Sequence, residues 1–145
     1  MKAVIQRVGR TALSVDGKLI SEIEFGLAVF LGVKTGDSEA QSEAIAKKIA
    51  NLRIFEDENG KMNLSVRDVG GQILLVSQFT LLGDCSRGNR PNFSYAEKPE
   101  RAKALYNYTA EKLREWDIPV KLGVFGADMK IQQYNDGPVS ILLDM

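Results

Sequence analysis

The sequence predicts a layered α/β fold in which sheet packs on sheet and helices cover one outer face, all in a single domain spanning residues 1–145. Two observations predict it. Short apolar runs bounded by turn residues mark about eight strands, while helical spacing of apolar residues recurs over only two segments. Two helices cannot cover both faces of one parallel sheet of that size, so a second sheet layer must do so.

Lys2 to Ser14 carries apolar residues on both alternating faces, Val4 and Val8 against Ala3 and Ile5, and reads as a strand near the middle of a sheet. Asp16-Gly17 is a type I′ hairpin signal, with Lys18 to Ile23 as the return strand. Gly26 to Val33 and Gln72 to Ser77 are continuous apolar runs, expected for strands buried on both sides. Asp37 and Ser38 are N-cap candidates for a helix over Glu39 to Leu52, where Ile45, Ile49 and Leu52 share a face. Asp57-Glu58-Asn59-Gly60 is a turn before a short strand around Met62 and Leu64. Pro99 suits the first turn of a second helix reaching Trp116, with Leu105, Tyr108, Thr109, Leu113 and Trp116 expected on its buried face. Val120 to Phe125, Met129 to Tyr134 and Val139 to Leu143 complete the strands, the last two separated by a turn at Asn135-Asp136-Gly137-Pro138.

Composition narrows the chemistry. The chain has no histidine and one cysteine, Cys85, which excludes a Ser-His-Asp triad, a Cys-His pair and a histidine or cysteine zinc cage. No metal site and no cofactor is expected. Nineteen basic residues balance nineteen acidic ones, so any nucleic-acid contact must be local. The lone cysteine and the lack of a long apolar stretch point to a cytoplasmic protein without a membrane segment.

Four segments could carry function. Ser77-Gln78-Phe79-Thr80 follows a buried strand, where sites commonly sit, although such residues more often merely finish a strand and satisfy local backbone groups. The long segment from Leu82 to Tyr95 and the start of the second helix hold Arg87, Arg90, Lys98, Arg101 and Lys103, interleaved with Asn89, Phe93 and Tyr95. Cations beside aromatic rings suit a single-stranded RNA end; an ordinary solvated surface gives the same pattern. Phe125-Gly126-Ala127-Asp128-Met129 either lines an apolar pocket or is core followed by a turn. Gly137-Pro138 reads, taken alone, as a hairpin turn.

Together these segments resemble the D-aminoacyl-tRNA deacylase family over essentially the whole length. The resemblance rests on Ala3-Val4-Ile5-Gln6-Arg7-Val8, Ser77-Gln78-Phe79-Thr80-Leu81, Gly88-Asn89-Arg90-Pro91-Asn92-Phe93 and Asn135-Asp136-Gly137-Pro138-Val139-Ser140, in that order; Ser140 stands where threonine is more usual. It implies a three-layer β/β/α sandwich, a homodimer with active sites at the interface, and hydrolysis of the ester of D-aminoacyl-tRNA at the tRNA 3′ end. Such an enzyme rejects L-amino acids and also removes glycine mischarged onto tRNA-Ala. By the same resemblance, Ser77, Gln78, Phe79 and Thr80 line the catalytic site. Gly137 and Pro138, joined by a cis bond and steadied by Arg7, enter the partner subunit's site to select chirality, while Phe125, Ala127 and Met129 hold the terminal adenosine. The missing histidine then suggests that main-chain amides and the RNA's own 2′-hydroxyl do the chemistry, with Thr80 as a covalent nucleophile the rival reading. A non-catalytic RNA-end binding module is the alternative outside enzymology.

Overall fold

The computed structural model describes residues Met1–Met145. Its longest early element, β1 (Lys2–Val15), buries Ala3, Ile5, Val8 and Leu13. Asp16 and Gly17 both take positive φ, 50° and 74°, as a type I′ turn requires. The chain therefore reverses tightly into β2 (Lys18–Ile23), with Val15 opposite Lys18. β3 (Gly26–Gly32) runs antiparallel to the first half of β1, from Lys2 opposite Gly32 to Val8 opposite Gly26. β6 (Gln72–Ser77) lies parallel to β3, and β7 (Val120–Leu122) parallel to β6. Only glycine permits the β3 start, because a Cβ on Gly26 would sit 1.9 Å from the Gln72 carbonyl oxygen.

Both parallel connections are helical. α1 (Glu39–Ala50) lies between β3 and β6, followed by a small hairpin of β4 (Phe55–Glu56) and β5 (Met62–Leu64); α2 (Pro99–Arg114) lies between β6 and β7. α1 starts where expected: the Gln41 side chain reaches back to accept the Ser38 N–H at 2.9 Å. No helix is long and apolar enough to cross a membrane.

β3 and β6 read as unbroken apolar runs because they are covered on both faces. Leu27, Val29, Leu31, Ile73 and Leu75 pack toward Ile45, Ile49, Leu105 and Leu113 of the helices. Ala28, Leu74 and Val76 pack the other way, onto Val8, Leu13 and Ile23. The second layer is thus the far half of β1 with β2, folded across the same sheet and tied to β7 by Ser21 Oγ donating to the Leu122 carbonyl at 2.7 Å. The result is the three-layer β/β/α arrangement.

Four expectations need correction. The two strands expected at the C-terminus are one, β8 (Lys130–Asp144), which pairs with β1 from Lys2 opposite Asp144 to Ser14 opposite Lys130. Gly137-Pro138 is not a hairpin turn. Gln6 faces Ser140 and Val8 faces Asn135, so Asp136 to Val139 bulge out opposite Arg7 and the strand then resumes. Likewise β7 stops at Leu122 rather than Phe125, after which the Gly123 N–H donates to the Leu75 carbonyl and the chain leaves the sheet. On α2 the buried tyrosine is Tyr106; Tyr108 lies to one side, its hydroxyl donating to Glu43, and Trp116 lies beyond the helix end with Arg67 5.1 Å over its ring.

Tyr106 gives the core a test. It is 2% exposed, its hydroxyl donates to the Leu75 carbonyl at 2.7 Å, and burial pushes its pKa up to about 12. Above pH ~10 the unfolded chain releases a phenol proton that the folded chain keeps, so stability falls with rising pH. The loss expected between pH ~10 and ~12 is about 2–3 kcal/mol. Tyr106→Phe is expected to lack that component and to cost about 1 kcal/mol near neutrality. Urea unfolding across this pH range checks both; an unchanged alkaline slope in the variant would contradict the assignment.

Candidate active site

The parallel strands β3 and β6 end together, Leu31 beside Ser77, and the chain turns sharply there. The Gln78 N–H donates to the Leu31 carbonyl at 2.8 Å, and Phe79–Leu82 then forms a short 3-10 turn closed by the Gly83 N–H on the Thr80 carbonyl at 3.0 Å. Main-chain donors at the start of such a turn have no partner within it. The N–H groups of Phe79 and Thr80 carry no protein acceptor.

Beside this turn lies a cavity of about 330 Å³, at the small end of the range for ligand pockets. Its walls bring together Ser77, Gln78 and Phe79 with Phe125, Ala127 and Met129, two groups far apart in sequence. The early end of β7 explains the second group: freed from the sheet, residues 123–129 curl over the strand ends. Thr80 does not line the cavity. It is exposed, and its hydroxyl oxygen accepts from the Gln78 side-chain amide, a group unable to take a proton from it. Sequence reading missed Glu97 and Tyr106, which also border the cavity, as does Asp128 within the Phe125 to Met129 segment. No lysine or arginine does.

Phe93 packs edge-on against Phe79, ring centroids 5.0 Å apart, joining the Gly88 to Phe93 segment to the turn. That loop is pinned at its base by Asp84 and Asn92, which exchange N–H to carbonyl bonds of 2.8 and 2.9 Å. Arg87 and Arg90 lie exposed beyond this pin, and Lys98 and Lys103 are exposed at the start of α2. Arg101 differs from the other cations: it donates to the Asp37 carbonyl at 2.6 Å and stands 3.7 Å from Glu97, bracing α2 against the loop before α1.

The Gly137-Pro138 bulge stands apart from this cavity and is exposed. The peptide between them is cis. Buried Arg7 holds the bulge from one side: its Nε donates to the Asp136 carbonyl at 3.2 Å and lies 3.3 Å from the Asp136 carboxylate, while Nη1 donates to the Ile54 carbonyl at 2.9 Å. At either end of the bulge, Gln6 donates to Ser140 at 3.0 Å and Gln133 donates to Gln6 at 2.7 Å. Gly137 has φ 121°, and a Cβ there would lie 2.9 Å from the Val139 side chain and 3.1 Å from Arg7.

Fold and cavity together define a small α/β protein with a largely apolar cavity at the ends of its parallel strands, beside free main-chain amides and without a histidine. Comparison with known proteins assigns the family. The model of the D-Tyr-tRNA(Tyr) deacylase family matches residues 4–144. D-aminoacyl-tRNA deacylases of Thermosipho melanesiensis and Persephonella marina are 54% and 56% identical, each over 99% of this chain and 97% of their own. Among solved structures, one described as c-Myc DNA Unwinding Element Binding Protein superposes with TM-score 0.93 at 44% identity, covering 100% of this chain and 99% of its own. A second, described as a probable eukaryotic D-amino acid tRNA deacylase, shares the fold with TM-score 0.86 at 16% identity, over 99% of this chain and 98% of its own. The chain belongs to the D-Tyr-tRNA(Tyr) deacylase family.

Proposed function

We propose that this protein is a cytoplasmic homodimeric hydrolase that cleaves the ester of D-aminoacyl-tRNA, releasing free D-amino acid and tRNA, and that it spares L-aminoacyl-tRNA. The observation that carries the chemistry is the pair of unpartnered N–H groups at Phe79 and Thr80 beside a cavity of nucleoside size. Water attacks the ester carbonyl carbon, and the resulting oxyanion is held by those two amides. The adjacent 2′-hydroxyl of the terminal ribose relays a proton from the attacking water to the departing 3′-oxygen, so the C–O bond breaks without a histidine. Phe125, Ala127 and Met129 hold the adenosine, Ser77 and Gln78 line the reacting end, and Thr80 shapes the turn without forming a bond to the substrate. No cofactor or metal enters these steps.

The second subunit supplies chirality. Supporting this, β8 leaves a long edge unpaired, with Tyr134 71% and Leu142 78% exposed, and a monomer gains nothing by showing both to water. In this reading the exposed dipeptide Gly137-Pro138, held from behind by Arg7, enters the partner's cavity. A rigid backbone there excludes any L side chain regardless of its size, whereas attraction of D side chains would need a pocket fitted to each. Arg87, Arg90, Lys98 and Lys103 neutralise phosphates of the acceptor end, with Arg101 contributing less because it is already engaged.

Single-turnover assays with D-Tyr-tRNA, L-Tyr-tRNA and glycyl-tRNA test the reading. Release of D-tyrosine and of glycine is expected, with L-tyrosine released on the order of 10³-fold more slowly, a discrimination worth about 4 kcal/mol. Inertness toward all three, with tRNA still bound, would instead indicate an RNA-end binding module.

A further inference from the structure

Of the polar side chains on the cavity wall, one is an enclosed carboxylate with acceptor sites to spare. The Tyr106 hydroxyl is committed to the Leu75 carbonyl, and the Gln78 amide to Thr80. Asp128 points away, 83% exposed and paired with Lys130 at 2.9 Å. Glu97 is different: its side chain is 9% exposed, its Oε1 accepts the Lys98 N–H at 2.8 Å, and its Oε2 accepts the Gly36 N–H at 3.4 Å with Arg101 at 3.7 Å. These donors, the Lys98 N–H first, hold its carboxyl below the usual carboxylate range even though burial opposes them. An ionised carboxylate only accepts, and it has about four acceptor sites, so two N–H partners leave room for further donors. The walls around it, Leu31, Val33, Ala102 and Phe125, offer none from their side chains.

We infer that Glu97 is a specificity-determining residue that accepts the exocyclic amine of the terminal adenine, reading the base while the apolar walls hold its faces. The inference rests on the deacylase reading above, with the adenosine in this cavity. When the cavity fills with a base lacking that amine, the remaining acceptor sites of the carboxylate are desolvated with no donor to fill them, so the amine is favoured in substrate binding rather than in the chemical step.

The test uses short RNA hairpins ending in adenosine or in purine riboside, which has the same shape without the amine, each charged chemically with D-tyrosine. For the wild-type protein, kcat/KM is expected to be about 10- to 100-fold higher with adenosine, mostly through KM. Glu97→Leu is expected to abolish that preference, and Glu97→Gln, which keeps a neutral acceptor, to retain a reduced one. Loss of folding or of turn geometry would instead lower both substrates together. Equal handling of the two hairpins by wild type, or an undiminished preference in Glu97→Leu, would overturn the role of Glu97 while leaving the deacylase reading intact. Hydrolysis of neither hairpin by wild type would overturn both. Should Glu97→Leu fail to fold, wild type against Glu97→Gln decides.

Discussion

Replacing Arg7 by alanine is expected to raise the ratio of L- to D-tyrosyl-tRNA deacylation by on the order of 10²-fold, while D-activity falls but persists. Arg7 is the single side chain joining Asp136, at the root of the bulge, to Ile54 at the end of the α1 connection. Alanine removes both guanidinium attachments, and the dipeptide is then free to withdraw by the ångström or so that an L side chain needs. D-substrates, whose side chains point elsewhere, keep the Phe79 and Thr80 amides. Arg7→Lys is expected to fall between wild type and alanine, because lysine keeps the charge but cannot span two carbonyls in a fixed fork. Single-turnover rates for both substrates check this, with urea unfolding to separate loss of stability from loss of selectivity. An unchanged ratio in both variants would place chiral selection elsewhere.

The second large effect belongs to the substrate. A D-Tyr-tRNA ending in 2′-deoxyadenosine is expected to be hydrolysed 10²- to 10⁴-fold more slowly, roughly the whole contribution of a positioned acid-base group. Thr80→Ala is expected to stay within about tenfold of wild type, since its hydroxyl lies outside the cavity wall and its side-chain partner is an amide donor. An acyl ester on Thr80 in rapid-quench mass spectrometry, or a 2′-deoxy substrate cleaved at the normal rate, would move the chemistry from RNA to protein.

How far the sequence could be read depended on whether the signal was local. The β1–β2 hairpin is written in Asp16-Gly17, the start of α1 in Ser38 and Gln41, and the two-sided burial of β3 and β6 in their unbroken apolar runs. The bulge in β8 was not legible in the same way. Gly137 and Pro138 announce that the backbone departs from regular pairing, but a hairpin turn and a bulge share that signal. Only β1, more than a hundred residues earlier in the chain, makes the strand resume on the same partner. On α2, the spacing of Leu105, Thr109 and Leu113 marks the axis of the buried stripe, yet its width is decided by the neighbours. Strand β6 takes Tyr106, and α1 leaves Tyr108 at its side.

The site divides the same way. Ser77 to Phe79 and Phe125 to Met129 were legible because each follows or bridges strands, and the structure brings them to one cavity. Glu97 was hidden in an ordinary run of mixed charge, Glu97-Lys98-Pro99-Glu100-Arg101, and becomes enclosed through the loop that carries Gly36, distant in sequence. The five expected cations looked alike as residues; Arg101 separates from the rest only through its bond to Asp37.

The central claim is that each site is shared between two chains, and subunit mixing tests it most directly. One variant would carry Phe79→Pro, which removes an oxyanion N–H, and the other a deletion of Gly137-Pro138, which removes the gate. Homodimers of the first are expected to be inactive on D-Tyr-tRNA, and homodimers of the second to hydrolyse both D- and L-Tyr-tRNA. In a mixed dimer, the only competent turn belongs to the deletion subunit and faces the intact dipeptide of its partner. Its activity should therefore be D-specific, with L-deacylation falling as mixed dimers form and D-deacylation persisting. If L-deacylation instead stays in proportion to the deletion subunit however much partner is added, the dipeptide acts within its own chain, and the shared-site account is wrong.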